Sequence, residues 1–171
     1  ICARKFEAET EQDLSVLEEK SKNQFGYPVF IKPCCAGSSV GASKAANKEE
    51  FEKSVKEAFS WDDKILIEPF IKAREIECSV IGNEKQISFI PCEILPTHEF
   101  YDYEAKYKDP DGASFSIPAN LSEEQIAQVK SIAEKAYKVL DASGLSRVDF
   151  FIDKENGNLM LNEINTMPGF T

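Results

Sequence analysis

The sequence predicts an α+β fold resting on antiparallel sheet. Two stretches carry apolar residues at helical spacing and open on capping residues, and several short apolar strands alternate and fold back at Gly/Asn turns. No internal repeat and no regular βαβ array accompanies them. A chain of 171 residues with 42% hydrophobic content buries a substantial core, in one large domain or two small lobes.

The elements follow in order. PVFIK (28–32) is a short apolar run ending in a lysine, followed by the Gly/Ser-rich turn AGSSVG and a second extended stretch near residue 44. Asn47 and Glu50 form an N-cap and N3 pair, and Phe51, Val55, Ala58 and Phe59 then recur at helical spacing, which predicts a helix over about 48–60. KILIE is a compact strand. REIECSVIGNEKQISFIP alternates and turns at Gly82-Asn83, as an antiparallel hairpin does. Residues 96–120 carry aromatic, charged, Pro and Gly residues without a period and are expected to be a loop of functional length. Ser122 and Gln125 form a capping box for a helix whose face is Ile126, Val129, Ile132, Ala133, Ala136, Tyr137 and Leu140, with Gly144 expected to end it. LSRVDFFID and NLMLNEIN then alternate around Glu155-Asn156-Gly157 as a final hairpin.

Composition removes several function classes. With 20 basic against 30 acidic residues the net charge is -10, so no broad basic surface exists to grip nucleic acid. Five cysteines without CxxC spacing and one histidine, His98, give neither a disulfide framework nor a zinc site. No apolar run reaches the roughly 20 residues of a membrane span, and the amino terminus lacks the apolar core of a signal peptide. A cytoplasmic protein with reduced thiols is expected, without a membrane partner. Starting without Met and stopping just after PGF, the chain reads as a piece of a longer protein.

The final hairpin carries the most specific chemistry. If its loop is the three residues Glu155–Gly157, position 154 faces 158, Asp149 lies opposite Glu163, and Arg147 lies opposite Asn165. All four then emerge on one face while Val148, Phe150 and Ile152 point to the other. Two carboxylates and an amide are hard oxygen donors of the kind Mg2+ takes, with a guanidinium beside them. The same residues also fit an ordinary solvated sheet face. A slip of one residue would put the partners on opposite faces.

The other motifs are less specific singly. IKPCCAGSSVGASK places Lys32 at a strand end before a small, flexible loop whose N–H groups and hydroxyls can approach phosphate, or which is simply a tight turn. GxxxxGK[ST] and GxGxxG are both absent, which removes the P-loop and Rossmann routes to a nucleotide. Glu68 ends an apolar strand, where a carboxylate needs either a cation or water. Glu75 and Glu77 share parity on the next strand, where an acceptor for a ribose and a solvated acidic face are both open. EFYDYEAKYKDPDG offers a covering loop with a cation, or tyrosines packed on the body. Cys34 and Cys35 invite, weakly, a nucleophile reading.

Taken together, PVFIKPCCAGSSVGASK, LIEPFIKAREIECSVIGN, FYDYEAKY, GLSRVDFFID and LNEINTMPGFT, in that order, resemble the D-alanine:D-alanine ligase family of ATP-grasp enzymes from residue 25 onward. The resemblance implies an ATP-grasp fold of two antiparallel-sheet lobes with packed helices enclosing a nucleotide cleft. Residues 1–95 would form the small central lobe and 96–171 the start of the large lobe, including the covering loop 96–120. It implies ATP as the nucleotide, with Lys32 on phosphate, Glu68 receiving the adenine amino group beside backbone groups of Pro69, Phe70 and Ile71, and Glu75 on the ribose. Phe100 and Phe151 would flank the base, and Asn162 belongs to the same site. Asp149, Glu163 and Asn165 would bind two Mg2+ or Mn2+ ions. Lys106 would reach the transferred phosphate, with Ser38 and Ser39 closing over it and Tyr107 meeting Ser38.

The implied reaction phosphorylates the carboxylate of one D-alanine, and the amine of a second attacks the acyl phosphate. Arg147 and the N–H of Gly169 would meet the oxyanion. The tyrosine-lysine loop favours D-alanine as both substrates over D-serine or D-lactate, and the parent enzyme would be a homodimer serving peptidoglycan synthesis. The family also has an amino-terminal lobe, an upstream phosphate-contacting lysine and a serine beyond the position of Thr171. A nucleotide-binding module without chemistry is the reading from another class.

Overall fold

A computed structural model describes residues 1–96 and 113–168. They form two compact units, one of Ile1–Ile71 and one that begins at Lys72, each with its own sheet and core. The division falls at 71/72 rather than at the expected 95/96. The reason is strand pairing: Ala73–Gly82 is hydrogen-bonded along its whole length to a strand near the carboxyl end, which ties it to the second unit.

The first unit runs β1 (Cys2–Arg4), a short 3-10 turn, α1 (Glu11–Phe25), β2 (Val29–Pro33), β3 (Ser43–Ala45), α2 (Lys48–Trp61) and β4 (Lys64–Pro69). Its sheet has the order β1-β4-β2-β3, antiparallel throughout. Alternation sends Val29, Ile31, Ile65 and Ile67 inward, where they meet Leu14 and Leu17 of α1 and Phe51, Val55, Ala58 and Phe59 of α2 in one buried cluster. Phe30, Lys32, Leu66 and Glu68 are left on the opposite face, half-buried. As expected, α2 starts on Asn47, whose side chain accepts the Glu50 N–H at 3.0 Å. The helix α1 was not anticipated. Its buried side is confined to Leu14, Leu17, Glu18 and Ser21, too sparse a stripe to stand out, although Thr10 and Asp13 form a complete capping box.

The second unit comprises β5 (Ala73–Gly82), β6 (Ile87–Ser88), β7 (Cys92–Pro96), β8 (Ala113–Ser116), α3 (Glu123–Val139), β9 (Gly144–Asp153) and β10 (Leu159–Asn165). Its sheet has the order β10-β9-β5-β7-β8, with β6 also paired to β5. The helix α3 covers one face, burying Val129, Ala133 and Tyr137 against Ile76, Cys78, Val80, Val148, Phe150 and Ile152. The Tyr137 hydroxyl, inside this core, donates to the carbonyls of Gly82 at 2.6 Å and Gly144 at 3.0 Å, which satisfies the one polar group of that ring.

Four local expectations are corrected. Helix α3 ends at Val139, well before Gly144, because Asp141 adopts a φ of 50° and a Schellman pair forms, Ala142 N–H to Tyr137 carbonyl and Asp141 N–H to Lys138 carbonyl. Gly144 instead opens β9. The hairpin expected after Gly82 has only a two-residue second arm, β6, before the chain bends and returns as β7. Within the segment read as a loop, 113–116 is a strand: Ser114 and Phe115 pair with Leu95 and Ile94.

The fourth correction concerns the last hairpin. Asp153 N–H donates to the Asn158 carbonyl and Gly157 N–H to the Asp153 carbonyl, so the connection has four residues, 154–157, not three. That length alone would shift the pairing by one, and it does so at Leu159↔Ile152, Met160↔Phe151 and Leu161↔Phe150. A β-bulge at Asn162 then restores the expected partners, Glu163↔Asp149 and Asn165↔Arg147.

Candidate active site

On the open face of the first sheet the charges are arranged by register. Phe30 lies opposite both Lys44 on β3 and Glu68 on β4, so one rung reads Lys44, Phe30, Glu68. Lys32, two residues along β2, reaches Glu68 with its Nζ at 2.9 Å from Oε2; the two side chains are 20% and 36% exposed. Glu68 therefore meets its expected need for a cation within the same face. The ladder continues past β4, where Phe70 N–H donates to the Pro28 carbonyl at 3.1 Å. The Lys44 ammonium sits over the Phe70 ring, 4.2 Å from its centroid. Lys44 was passed over in the sequence, although it shares strand parity with a face already known to carry Lys32.

The Gly/Ser loop is backbone-strained where its hydroxyls are. Ser38 and Ser39 have φ of 56° and 60°, and Val40 N–H bonds the Gly37 carbonyl at 3.2 Å, the bond and φ signs of a type I′ turn. Non-glycine residues rarely sit there, and each costs on the order of 1 kcal/mol. Gly41 has φ 69° and lies so close to α2 that a Cβ on it would be 2.5 Å from Trp61 Cδ1. At the root of the loop Asp62 accepts the N–H groups of Cys35 at 2.7 Å and Lys64 at 3.1 Å. Burial, then the neighbouring Cys2, push the Cys34 thiol up, which removes it as a ready nucleophile.

In the second unit the exposed face of β5, β9 and β10 gathers the polar hairpin residues. Val148, Phe150 and Ile152 are buried against α3, and Arg147, Asp149 and Phe151 face the other way. Arg147 grips Asp149 with two charged hydrogen bonds, Nε to Oδ1 at 2.6 Å and a terminal nitrogen to Oδ2 at 2.7 Å, and its Nε is also 3.1 Å from Glu77 Oε1. Asp149 first, and Glu77 and Glu163 further off, hold the guanidinium more firmly protonated than usual. Glu77 is opposite Asp149 across β5/β9, and Glu75 is opposite Phe151. Glu163 is exposed and Asn162 half-buried; Asn165 Oδ1 accepts the Met167 N–H at 3.1 Å. Glu77 was read only as part of an acidic face; its parity with Glu75 was the signal that it would meet the hairpin residues. Behind this face Arg74 forms a bidentate pair with Glu93 at 2.6 and 2.7 Å and donates to the Asn120 carbonyl, fixing β5 against β7.

The structure thus brings together Arg147, Asp149, Glu163 and Asn165 on one face, and Lys32, Glu68 and Phe70 on another. Ser38 and Ser39 share one turn. Phe100, Lys106, Tyr107 and Gly169 lie outside the described residues. Among the described residues no group of three His, Cys, Asp or Glu side chains is gathered closely enough to hold a metal ion. The candidate donors there are two carboxylates and an amide, one carboxylate already neutralised by Arg147. No helix among the described residues is long and apolar enough to cross a membrane.

Comparison with known proteins agrees over the whole length. The D-alanine--D-alanine ligase of Treponema denticola is 58% identical over 152 residues, 89% of this chain and 41% of that protein. That of Clostridium acetobutylicum is 49% identical over 171 residues, all of this chain and 48% of that protein. Among solved structures, the VanG D-Ala:D-Ser ligase from Enterococcus faecalis superposes with a TM-score of 0.82 at 34% identity, covering 100% of this chain and 48% of that one. The chain therefore spans less than half the length of these relatives. The family described as D-ala D-ala ligase C-terminus matches residues 3–171, and the chain, with its α+β ATP-grasp fold, belongs to it.

Proposed function

We propose that the protein carrying this chain joins two D-alanines at the expense of ATP, through an acyl phosphate, for peptidoglycan synthesis, and works in the cytoplasm as a homodimer. Support comes from family membership, and the observation that carries it is the hairpin register that sets Asp149 beside Glu163 and Arg147 beside Asn165. That face combines hard oxygen donors with a guanidinium, which suits a reaction in which negative charge moves between a phosphoryl group and a carboxylate.

In this reading the first unit supplies the base end of the nucleotide site. Glu68 accepts from the adenine amino group, with its charge balanced by Lys32, which also serves phosphate. Pro69 has no N–H and that of Phe70 is spent on Pro28, so of the three hinge residues only Ile71 is left to donate to a ring nitrogen. Ser38 and Ser39, held in a strained turn, present hydroxyls and N–H groups to phosphate, and Tyr107 and Lys106 join them. In the second unit Glu75 takes the ribose, and Phe151 with Phe100 flanks the base. Asn162 adds a polar contact.

Asp149, Glu163 and Asn165 fit Mg2+ or Mn2+ by donor chemistry, with two ions expected from the family; bound there, divalent charge neutralises the phosphates. Asp149 is the residue that would hold both the ion and Arg147, which pairs with it here. The Arg147 guanidinium, with the Gly169 N–H, would stabilise the tetrahedral oxyanion formed when the second amine attacks the acyl carbon, before its collapse expels phosphate.

The test is phosphate release by the complete enzyme with ATP and D-alanine, alone or with D-serine, D-lactate or L-alanine added as a competing acceptor. D-Alanine alone should support full turnover. D-Serine as the preferred acceptor would favour the second reading, a D-alanine:D-serine ligase, which the likeness to VanG keeps open. No release with any of them would leave a nucleotide-binding module.

A further inference from the structure

We infer that Lys44 is a positioning residue for the adenine end of the nucleotide site: its ammonium clamps the Phe70 ring and so fixes the hinge peptide that follows. The inference rests on the nucleotide reading of the Lys32–Glu68 face and goes beyond it by assigning a lysine that is not among the residues assigned to ATP.

Three observations converge. Lys44 Nζ lies 4.2 Å from the Phe70 centroid, well inside the range over which a ring quadrupole attracts a cation. Register puts Lys44 in the same rung as Glu68, both opposite Phe30, so it stands at the base end of the face; Lys32 is two residues further toward the Gly/Ser loop. Phe70 is itself half-buried and pinned by its N–H to Pro28, one residue before Ile71, the remaining donor for a base edge. A ring held from above by Lys44 and a peptide held from behind by Pro28 leave Ile71 little freedom. Removing the cation takes away this hold on the ring while leaving the strand ladder intact. Lys44 lies on β3, a three-residue strand at the edge of the sheet, so the clamp also ties the end of the Gly/Ser loop to the hinge.

A clamp on the base end and a cation on the phosphates predict different losses. In the complete enzyme, affinity for adenosine and for ATP is measured by calorimetry with Lys44→Met, Lys44→Arg and Phe70→Ala. Lys44→Met should weaken adenosine and ATP by the same factor, about three- to tenfold, and raise KM for ATP while kcat at saturation stays within about twofold. Lys44→Arg, which keeps a cation over the ring, should restore both affinities. In the Phe70→Ala background Lys44→Met should change neither affinity further. Loss of ATP affinity with adenosine untouched would make Lys44 a phosphate contact and overturn the inference. So would a Lys44→Met effect of equal size with and without Phe70, which also guards against misfolding of a single variant. If the parent enzyme bound neither ligand, the nucleotide reading itself would fall, and the clamp with it; if it bound both and Lys44→Met did not alter them, only the clamp would fall.

Discussion

Replacing Arg147 with Met removes the guanidinium that Asp149 grips at 2.6 and 2.7 Å and that Glu77 approaches at 3.1 Å. Asp149 and Glu77 are cross-strand partners with side chains only 15% and 19% exposed, so they are left as two facing carboxylates with no guanidinium between them. Breaking a largely buried pair by removing one partner costs about 3 kcal/mol, at the low end of the usual range because the face is open to water. In a cooperative chain of this length that lowers the melting temperature by about 6–12 °C. A divalent cation should then replace part of what was lost: at roughly ten times its dissociation constant it returns about 1.4 kcal/mol, or about 3–6 °C. The parent, whose Asp149 is already neutralised, should gain less from the same Mg2+. Thermal unfolding of both proteins with and without Mg2+ reads this directly. Equal melting temperatures, or an equal Mg2+ shift in parent and variant, would refute the view of Arg147 as the built-in countercharge of a metal-binding carboxylate.

Glu163→Gln keeps the shape and removes a charge, so it should raise the Mg2+ requirement of the complete enzyme; Arg147→Lys loses the planar fork and should lower turnover at a nearly unchanged Mg2+ requirement. Identical Mg2+ titrations for Glu163→Gln and parent would show that the carboxylate is not a ligand. Arg74 hydrogen bonds hold the Glu93 carboxyl below its usual range, so the pair contributes stability that is present above the unfolded carboxyl value, about 4.3, and is lost as pH falls through the lower folded value. Arg74→Met should cost about 3–5 kcal/mol at pH 7 and, unlike the parent, gain stability as Glu93 protonates on acidification, as chemical denaturation at pH 7 and 5 would show. Gly41→Ala forces a side chain into φ 69° and against Trp61, so it should cost about 1–3 kcal/mol and change the emission of Trp61, the single tryptophan of the chain. Unaltered emission would mean that the loop does not rest on that ring.

Much of the fold was legible because local chemistry and tertiary packing agree. Asn47 and Ser122 start their helices, and the apolar periods of α2 and α3 face the cores they build. What escaped notice depends on partners distant in sequence. Helix α1 buries too few residues to show a period, and β8 is a strand only because Leu95 and Ile94 offer it an edge. The compact units divide at 71/72 rather than at 95/96 for the same reason, since nothing near residue 72 announces that β5 will pair with β9. Alternation and an assumed three-residue loop placed Arg147, Asp149, Glu163 and Asn165 on one face; the loop has four residues, the bulge at Asn162 restores that face, and neither signal could reveal that Arg147 would close on Asp149. Sequence spacing names which side chains share a surface; the ion pairs among them follow from rotamers and charge.

The bulge at Asn162 separates the turn from the face it serves. Without it, pairing phase would pass rigidly from the 154–157 connection down the strand, and a change of one residue in the turn would invert Glu163 and Asn165 toward the core. With it, the strand holds a point of slack between the turn-proximal pairs and the distal ones, in the manner of an expansion joint. The phase of the polar face is then kept by pairing with β9 and by the packing of Ile164 on the core. The half of the hairpin that turns the chain and the half that carries the charged face are paired in different phase, although only one residue lies between them.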